Sequence, residues 1–147
     1  MGWVDSLKGA LVGLDTAPLI YFIEANPTYV SLVRPFFQAL DRGELSVITS
    51  TVTLVEVLVH PLRSGDALLV QRYHDILLGS GSLTMQQVTP AIAEEAARLR
   101  AVYTLRTPDA IQLATAITAS ATHFLTNDAR LKVISGIQVH VLDELKP

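Results

Sequence analysis

The chain alternates five short apolar segments with longer stretches of helical character. Each apolar segment has strand length, and most are bounded by turn-forming residues, which is typical of buried β-strands. Because the connections are long enough to hold helices, they return successive strands in parallel. The pattern predicts a three-layer α/β/α sandwich with a central, mainly parallel sheet of about five strands, in a single domain over residues 1–147. The predicted strands are ALVGLD (10–15), SVITS (46–50), LTMQQV (83–88), HFLTND (123–128) and IQVHVL (137–142).

Prolines and glycines set the limits of the predicted helices. Helical segments are expected over 18–25 and 28–41, with Pro35 as a kink or break in the second. Thr53 is expected to open the next helix, which Pro61 ends or bends. Three further helices are predicted over 64–81, from Pro90 and from Pro108, the last with an apolar stripe of Ala110, Leu113, Ala114 and Ile117.

The amino-acid composition indicates a folded protein and excludes sites that need cysteine. Hydrophobic residues make up 50% and charged residues 17% of the 147 residues, as expected for a folded α/β protein. The absence of cysteine excludes disulfides and thiolate metal sites and permits a cytoplasmic location. The longest apolar stretches have strand length, too short to cross a bilayer, so no membrane association is expected.

Four acidic residues lie where predicted strands end or helices begin: Asp15, Glu56, Asp109 and Asp128. In a parallel sheet the strand ends and the following helix starts share one edge, which is where ligands bind. Four carboxylates that converge raise each other's pKa unless a cation lies among them. Oxygen-only ligands favour Mg²⁺ or Mn²⁺ over zinc. The sequence therefore predicts a divalent metal site.

Each acid also has a local alternative. Asp15 fits an Asx turn, and Asp128 fits a cap of the short helix after it. Asp109 stands in the first turn of a helix, where the helix dipole stabilises it. Thr53 and Glu56 have capping-box spacing. Four unrelated caps have no reason to share one sheet edge, which favours the common site.

The net charge of −3 includes these four acids, so the rest of the chain carries +1 and does not exclude an anionic partner. Arg106 and Arg130 flank two of the acids and are candidates for binding a substrate phosphate; the alternative for both is an ion pair or a solvated helix end. The four histidines lack metal-ligand spacing and are interpreted as surface or strand residues: His60, His74, His123 and His140.

The segment 19–40 is rich in aromatic residues: Tyr21, Phe22, Tyr29, Phe36 and Phe37. We expect more of them than one helix face can bury, which favours a dimer or partner surface. The alternative is additional core around two short helices.

Four motifs, LDTAPLIYFIE, TSTVTLVEVLVHP, LRTPDAIQLATAI and FLTNDARL, resemble the PIN-domain nucleases, particularly the VapC-type toxins of VapBC toxin–antitoxin systems. The resemblance spans essentially the whole chain. It implies a three-layer fold, an endoribonuclease dependent on Mg²⁺ or Mn²⁺, an RNA substrate, a homodimer and a small antitoxin partner. It places the metal-binding and catalytic acids on Asp15, Glu56, Asp109 and Asp128, with Thr16, Thr126 and Asn127 beside them.

Other functions remain open at the level of sequence. A haloacid-dehalogenase-type phosphatase needs a second aspartate after the first strand, and the Asp15-Thr16-Ala17 run lacks it. A receiver domain needs an acid after the third strand, and TMQQV has none. The remaining alternatives are a PIN-like module that binds RNA or a partner without cutting, and a housekeeping PIN nuclease in RNA processing.

Overall fold

The computed structural model of the protein describes residues 2–146. Five strands form one sheet in the order β3-β2-β1-β4-β5, and every neighbouring pair is parallel. The predicted three-layer fold is confirmed, with each predicted strand present and its ends moved by no more than two residues. The strands are β1 Leu11–Leu14, β2 Ser46–Ser50, β3 Leu83–Gln86, β4 His123–Thr126 and β5 Gln138–Val141.

Helices cover both faces of the sheet. The helices are α1 Thr16–Ile23, α2 Val30–Asp41, α3 Thr51–Ser64, α4 Ala67–Gly79, α5 Pro90–Val102, α6 Thr107–Thr118 and α7 Leu142–Leu145, and two 3₁₀ helices span Trp3–Leu7 and Ala129–Val133. On one face of the sheet the core is formed with helices α1, α2, α3, α4 and α7. On the other face it is formed with α5 and α6. None of the helices within residues 2–146 combines the length and apolarity needed to cross a membrane.

The two prolines inside helices do not end them. Helix α2 runs through Pro35 without a break, and α3 continues three residues beyond Pro61 to Ser64. Pro35 lies in the second turn of α2 and is exposed, so the carbonyl that loses its backbone partner, on exposed Ser31, can bond water. Helix α3 instead ends at Gly65, whose φ of 72° forms a left-handed cap.

The predicted aromatic surface over 19–40 is mostly core. Phe36 and Phe37 are buried, and their rings pack edge to face with centroids 5.2 Å apart. Phe22 stacks on Phe37 at 4.3 Å, and Tyr21 stacks on Tyr29 at the same distance. The expectation of a partner surface is therefore wrong for Phe36 and Phe37, because Phe36 packs on Trp3 of the 3₁₀ helix before β1 and Phe37 packs on Phe22.

Strand order fixes the place of the site. From β1 the chain moves to β2 and β3 on one side, then crosses to β4 and β5 on the other. The order reverses between β1 and β4, and such a switch point leaves a crevice at the carboxyl ends of the two strands. Asp15 directly follows β1, and Asp128 lies two residues after β4.

Candidate functional site

All four predicted acids line one cavity of about 270 Å³ at this crevice. They come from four separate segments of the chain: the end of β1, the second turn of α3, the first turn of α6 and the loop after β4. The fold therefore brings together the acids that the sequence pattern singled out. The other lining residues are Thr16, Ala17, Ile20, Tyr21, Arg106, Thr126 and Asn127.

Asp15 is fixed by three hydrogen bonds. Its backbone N–H donates to the Leu125 carbonyl at 2.9 Å, which extends the pairing of β1 with β4. Its carboxylate accepts from the Thr16 N–H at 2.9 Å and from the Thr126 hydroxyl at 2.7 Å. Burial is the main cause of the rise in the pKa of Asp15 to about 6; the negative charges of Asp109 and Glu56 add to this rise, and the two hydrogen bonds oppose it.

Asp109 is the third residue of α6 and is buried. The helix begins at Thr107 after Arg106, one residue earlier than the Pro108 start that the sequence suggested. The Arg106 guanidinium donates from Nε to Asp109 Oδ2 at 3.1 Å. The first turn of α6 therefore holds a carboxylate and its own counter-charge.

Asp128 caps the 3₁₀ helix Ala129–Val133, as its local alternative predicted, and still lines the cavity. Its carboxylate accepts from the Arg130 N–H at 3.0 Å and from Arg130 Nη2 at 2.7 Å. The hydrogen bond from the Arg130 side chain holds the pKa of Asp128 below its usual range. Arg106 and Arg130 are thus engaged in ion pairs, although 67% and 73% of their side-chain surface stays exposed.

Glu56 is an exposed residue of α3 whose carboxylate reaches back to the sheet edge. Thr16 donates its hydroxyl proton to Glu56 Oε1 at 2.6 Å. The capping-box alternative is wrong, because α3 begins at Thr51 and its cap is Ser50, whose hydroxyl accepts from the Val52 N–H at 3.1 Å. Glu56 is therefore not occupied by its own helix terminus.

Thr126 and Asn127 differ in what they contact. Thr126 Oγ1 donates to Asp15 and accepts from the Asp128 N–H at 3.1 Å, so one buried hydroxyl joins two of the acids. The Asn127 side chain lies on the cavity wall but donates to the Tyr21 hydroxyl at 3.3 Å and accepts from the Asp143 N–H at 2.9 Å. Asn127 thus joins the cavity to α7.

Within residues 2–146, no three acidic or histidine side chains are arranged so that they hold a metal ion as they stand. Two carboxylates are turned toward arginines, and Glu56 is turned toward Thr16. The sequence predicted that the negative charge of four carboxylates needs a metal cation. This holds only in part, because Arg106 and Arg130 balance the charge of two of them. Asp15 has no basic partner among the described residues. Its carboxylate, with oxygen donors on the same wall, fits a hard divalent cation.

A buried polar network under the cavity was missed by the sequence analysis. Thr49, Ser50, Thr53 and Gln112 are all buried and hydrogen-bonded to one another or to Thr16. Two signals could have indicated it. The segment TSTVT places hydroxyls at the end of a strand and the start of the helix after it, and Gln112 is a polar residue directly before Leu113 of the apolar stripe of α6.

The chain is similar to known proteins in two of three comparisons. The family model of the PIN domain matches residues 12–137. A comparison with curated proteins finds no match. Among solved structures, the fold is similar to VapBC2 from Rickettsia felis bound to a DNA fragment from its promoter, with 18% identity, a TM-score of 0.70 and coverage of 89% of this chain and 98% of that one.

Two further structures share the fold. A toxin–antitoxin complex from Klebsiella pneumoniae has 24% identity and a TM-score of 0.65, over 91% of this chain and 98% of that one. VapC20 from Mycobacterium tuberculosis, a toxin that cleaves the sarcin–ricin loop, has 16% identity and a TM-score of 0.63, over 78% and 87%. Because the family model spans most of the sequence and the fold agrees, this chain belongs to the PIN domain family.

Proposed function

We propose that this protein is a metal-dependent endoribonuclease that hydrolyses RNA phosphodiester bonds and acts as the toxin of a type II toxin–antitoxin pair. One observation carries the proposal: four carboxylates from four separate segments line one cavity at the switch point of a parallel sheet. Binding of hard cations explains why a fold would gather so much negative charge in one partly buried place.

The comparisons support the toxin part of the proposal. Among the solved structures of the same fold, one is a toxin–antitoxin complex and another is a toxin that cleaves the sarcin–ricin loop. By analogy we propose that this chain forms a homodimer and binds a small antitoxin protein. Its substrate would be single-stranded RNA, whose backbone is accessible at an open cavity edge.

The chemistry of the site follows from its residues. Asp15, Asp109 and Asp128 would hold Mg²⁺ or Mn²⁺, with Glu56 completing the set directly or through water. When bound, such an ion lowers the pKa of water and stabilises charge on a phosphoryl oxygen. Glu56 would accept a proton from the attacking water as a general base. Thr126 keeps Asp15 oriented, and the exposed faces of Arg106 and Arg130 are available to a substrate phosphate.

Cleavage of single-stranded RNA by purified protein tests the proposal, with Mn²⁺ or with chelator. We expect cleavage only with the cation. Asp15→Asn and Asp109→Asn should each lower the rate by about 10²–10³-fold, because each removes a charge that the reacting centre needs. Both variants should also lose the rise in thermal midpoint that Mn²⁺ gives the wild-type protein. Glu94→Gln, an exposed acid on α5, is the matched control and should cleave as the wild type does.

Other outcomes would redirect the assignment. Cleavage that survives chelation or either aspartate substitution contradicts the metal mechanism. If the wild-type protein binds Mn²⁺ and RNA but cuts none of a varied set of RNAs, the protein is a binding module. Copurification of a small partner from the native host would support the toxin assignment over a housekeeping nuclease.

A further inference from the structure

Gln112 lies at the centre of the buried network beneath the cavity. It is on α6, one turn after Asp109, and only 3% of its surface is exposed. Its amide nitrogen donates to Thr16 Oγ1 at 3.3 Å and also to Thr53 Oγ1. Its amide oxygen accepts from the Ser50 hydroxyl at 2.7 Å. The amide therefore contacts side chains from three other segments of the chain.

The number of hydroxyl protons fixes the direction of each hydrogen bond in this network. Thr49 donates to the Leu14 carbonyl at 3.0 Å, so the 2.7 Å contact between Thr49 and Thr53 requires Thr53 to donate. Thr53 can then only accept from Gln112. Ser50 accepts from a backbone N–H, so its own proton goes to the Gln112 oxygen. Only one orientation of the Gln112 amide satisfies all partners.

The same count applies to Thr16. Gln112 occupies a lone pair of the Thr16 hydroxyl, and the single proton of that hydroxyl goes to Glu56 Oε1 at 2.6 Å. Thr16 and Thr53 lie 3.5 Å apart, but with the Thr53 proton already given to Thr49, Thr53 has none to donate to Thr16. The network thus ends in one direction at a backbone carbonyl and in the other at the Glu56 carboxylate.

We propose that Gln112 is a positioning residue that acts through Thr16 to hold the Glu56 carboxylate at the cavity. The inference rests on the proposed function, in which Glu56 binds a cation or accepts a proton. Glu56 is exposed and has a long side chain, so its carboxylate would otherwise sample many rotamers. The Thr16 hydroxyl, whose own orientation is fixed by Gln112, removes this freedom. Hydrogen-bond partners of metal ligands orient those ligands in the same way.

A purely structural role for Gln112 predicts a different result. On that reading the amide only satisfies buried hydroxyls, and its loss would lower the stability of the fold without acting through Glu56. The two readings separate in a double-mutant cycle. A positioning residue loses its effect when the residue it positions is already removed.

The first experiment measures cleavage of an RNA oligonucleotide with Mn²⁺ by Gln112→Met, Glu56→Gln and the double variant. We expect Gln112→Met to lower kcat by about 10- to 100-fold, with KM for RNA little changed. In the Glu56→Gln background the same substitution should have no further effect. Effects that multiply instead would overturn the inference.

The matched control is Thr115→Val. Thr115 is buried on the same helix, one turn further on, and donates to the Ile111 carbonyl of its own helix at 2.7 Å. Among residues 2–146, its hydroxyl makes no hydrogen bond to a network residue, so the variant should cleave as the wild type does. A loss of kcat in Thr115→Val equal to that in Gln112→Met would also overturn the inference.

A second readout does not depend on cleavage. The ¹³C chemical shift of the Glu56 carboxyl carbon, measured in metal-free protein, reports its hydrogen bond from Thr16. Thr16→Val gives the shift of the released carboxylate, and Gln112→Met should move the signal toward that value while Thr115→Val leaves it in place. Gln112→Glu, which keeps the size and one acceptor oxygen but replaces the amide donor with a second oxygen, serves where Gln112→Met does not fold. An unmoved signal in a folded variant contradicts the inference, whereas wild-type protein that cuts no RNA contradicts only the proposed function.

Discussion

The two helical layers of this protein are packed in different ways. The α1–α4 layer is filled with large side chains, among them Phe36 and Tyr73, both fully buried. The α5–α6 layer is built at its centre from small residues. A Cβ atom on Gly13 of β1 would lie 2.5 Å from Ala116 Cβ and 2.7 Å from a ring carbon of Phe124.

This difference explains which helix supplies which functional side chain. Because α6 lies close against β1, the short side chain of Asp109 and the amide of Gln112 reach the sheet edge directly. The layer with large side chains contributes Glu56, an acid with a longer side chain that Thr16 must hold. The position of the site thus depends on the small residues of the α5–α6 layer as well as on the acids themselves.

Phe36→Ala should have the largest effect on stability. Phe36 is fully buried and contacts the rings of Trp3 and Phe37, so its truncation leaves a cavity that the large neighbours cannot fill. We expect the free energy of unfolding to fall by about 3–5 kcal/mol in urea titrations. Val102→Ala, at a position 75% exposed, should change it by less than about 0.5 kcal/mol. A loss below 1 kcal/mol for Phe36→Ala would mean that this layer repacks freely.

Gly13→Ala tests the opposite failure, overpacking. The added methyl group would overlap Ala116 and Phe124, so we expect a loss of about 1–3 kcal/mol, although alanine usually suits a strand better than glycine. Ala116→Gly should reduce this loss in the double variant, because it removes the nearer of the two contacts. A Gly13→Ala protein as stable as the wild type would show that α6 is not held at this distance.

The smallest effect concerns two histidines on the sheet face that the α1–α4 layer covers. His123 Nδ1 and His140 Nε2 are 2.9 Å apart, and burial together with the charge of His123 lowers the pKa of His140 from 6.5. The unfolded chain therefore binds the proton more readily. Stability should be complete above pH 6.5 and fall as the pH drops through the folded pKa.

Thermal unfolding between pH 7.5 and 5 checks this expectation. His140→Gln should flatten part of the pH dependence, and His60→Gln, at an exposed position, should leave it unchanged. An equal pH dependence in His140→Gln and in the wild-type protein would exclude the pair as its source.

Local pattern predicted the sheet well because strand length, apolarity and turn residues are local properties. β2 and the Pro90 start of α5 were predicted to the residue. The four acids could be grouped because parallel topology alone brings their segments to one edge. The hydrogen-bond partners of Gln112 could not be predicted, because they are 59 to 96 residues away and their geometry exists only in the folded chain. The burial of Phe36 depended likewise on the distant Trp3–Leu7 segment.

The ion pairs of Arg106 and Arg130 have a consequence for how the cavity can be filled. Four carboxylates line it, and two of them are paired with arginines, which leaves two formal negative charges unbalanced. A single divalent ion would bring the whole lining to electroneutrality, and a second would create a surplus matched to the anionic backbone of a nucleic acid. The stoichiometry of bound ions, measured with and without a non-cleavable RNA, would show whether the lining takes up one ion or two.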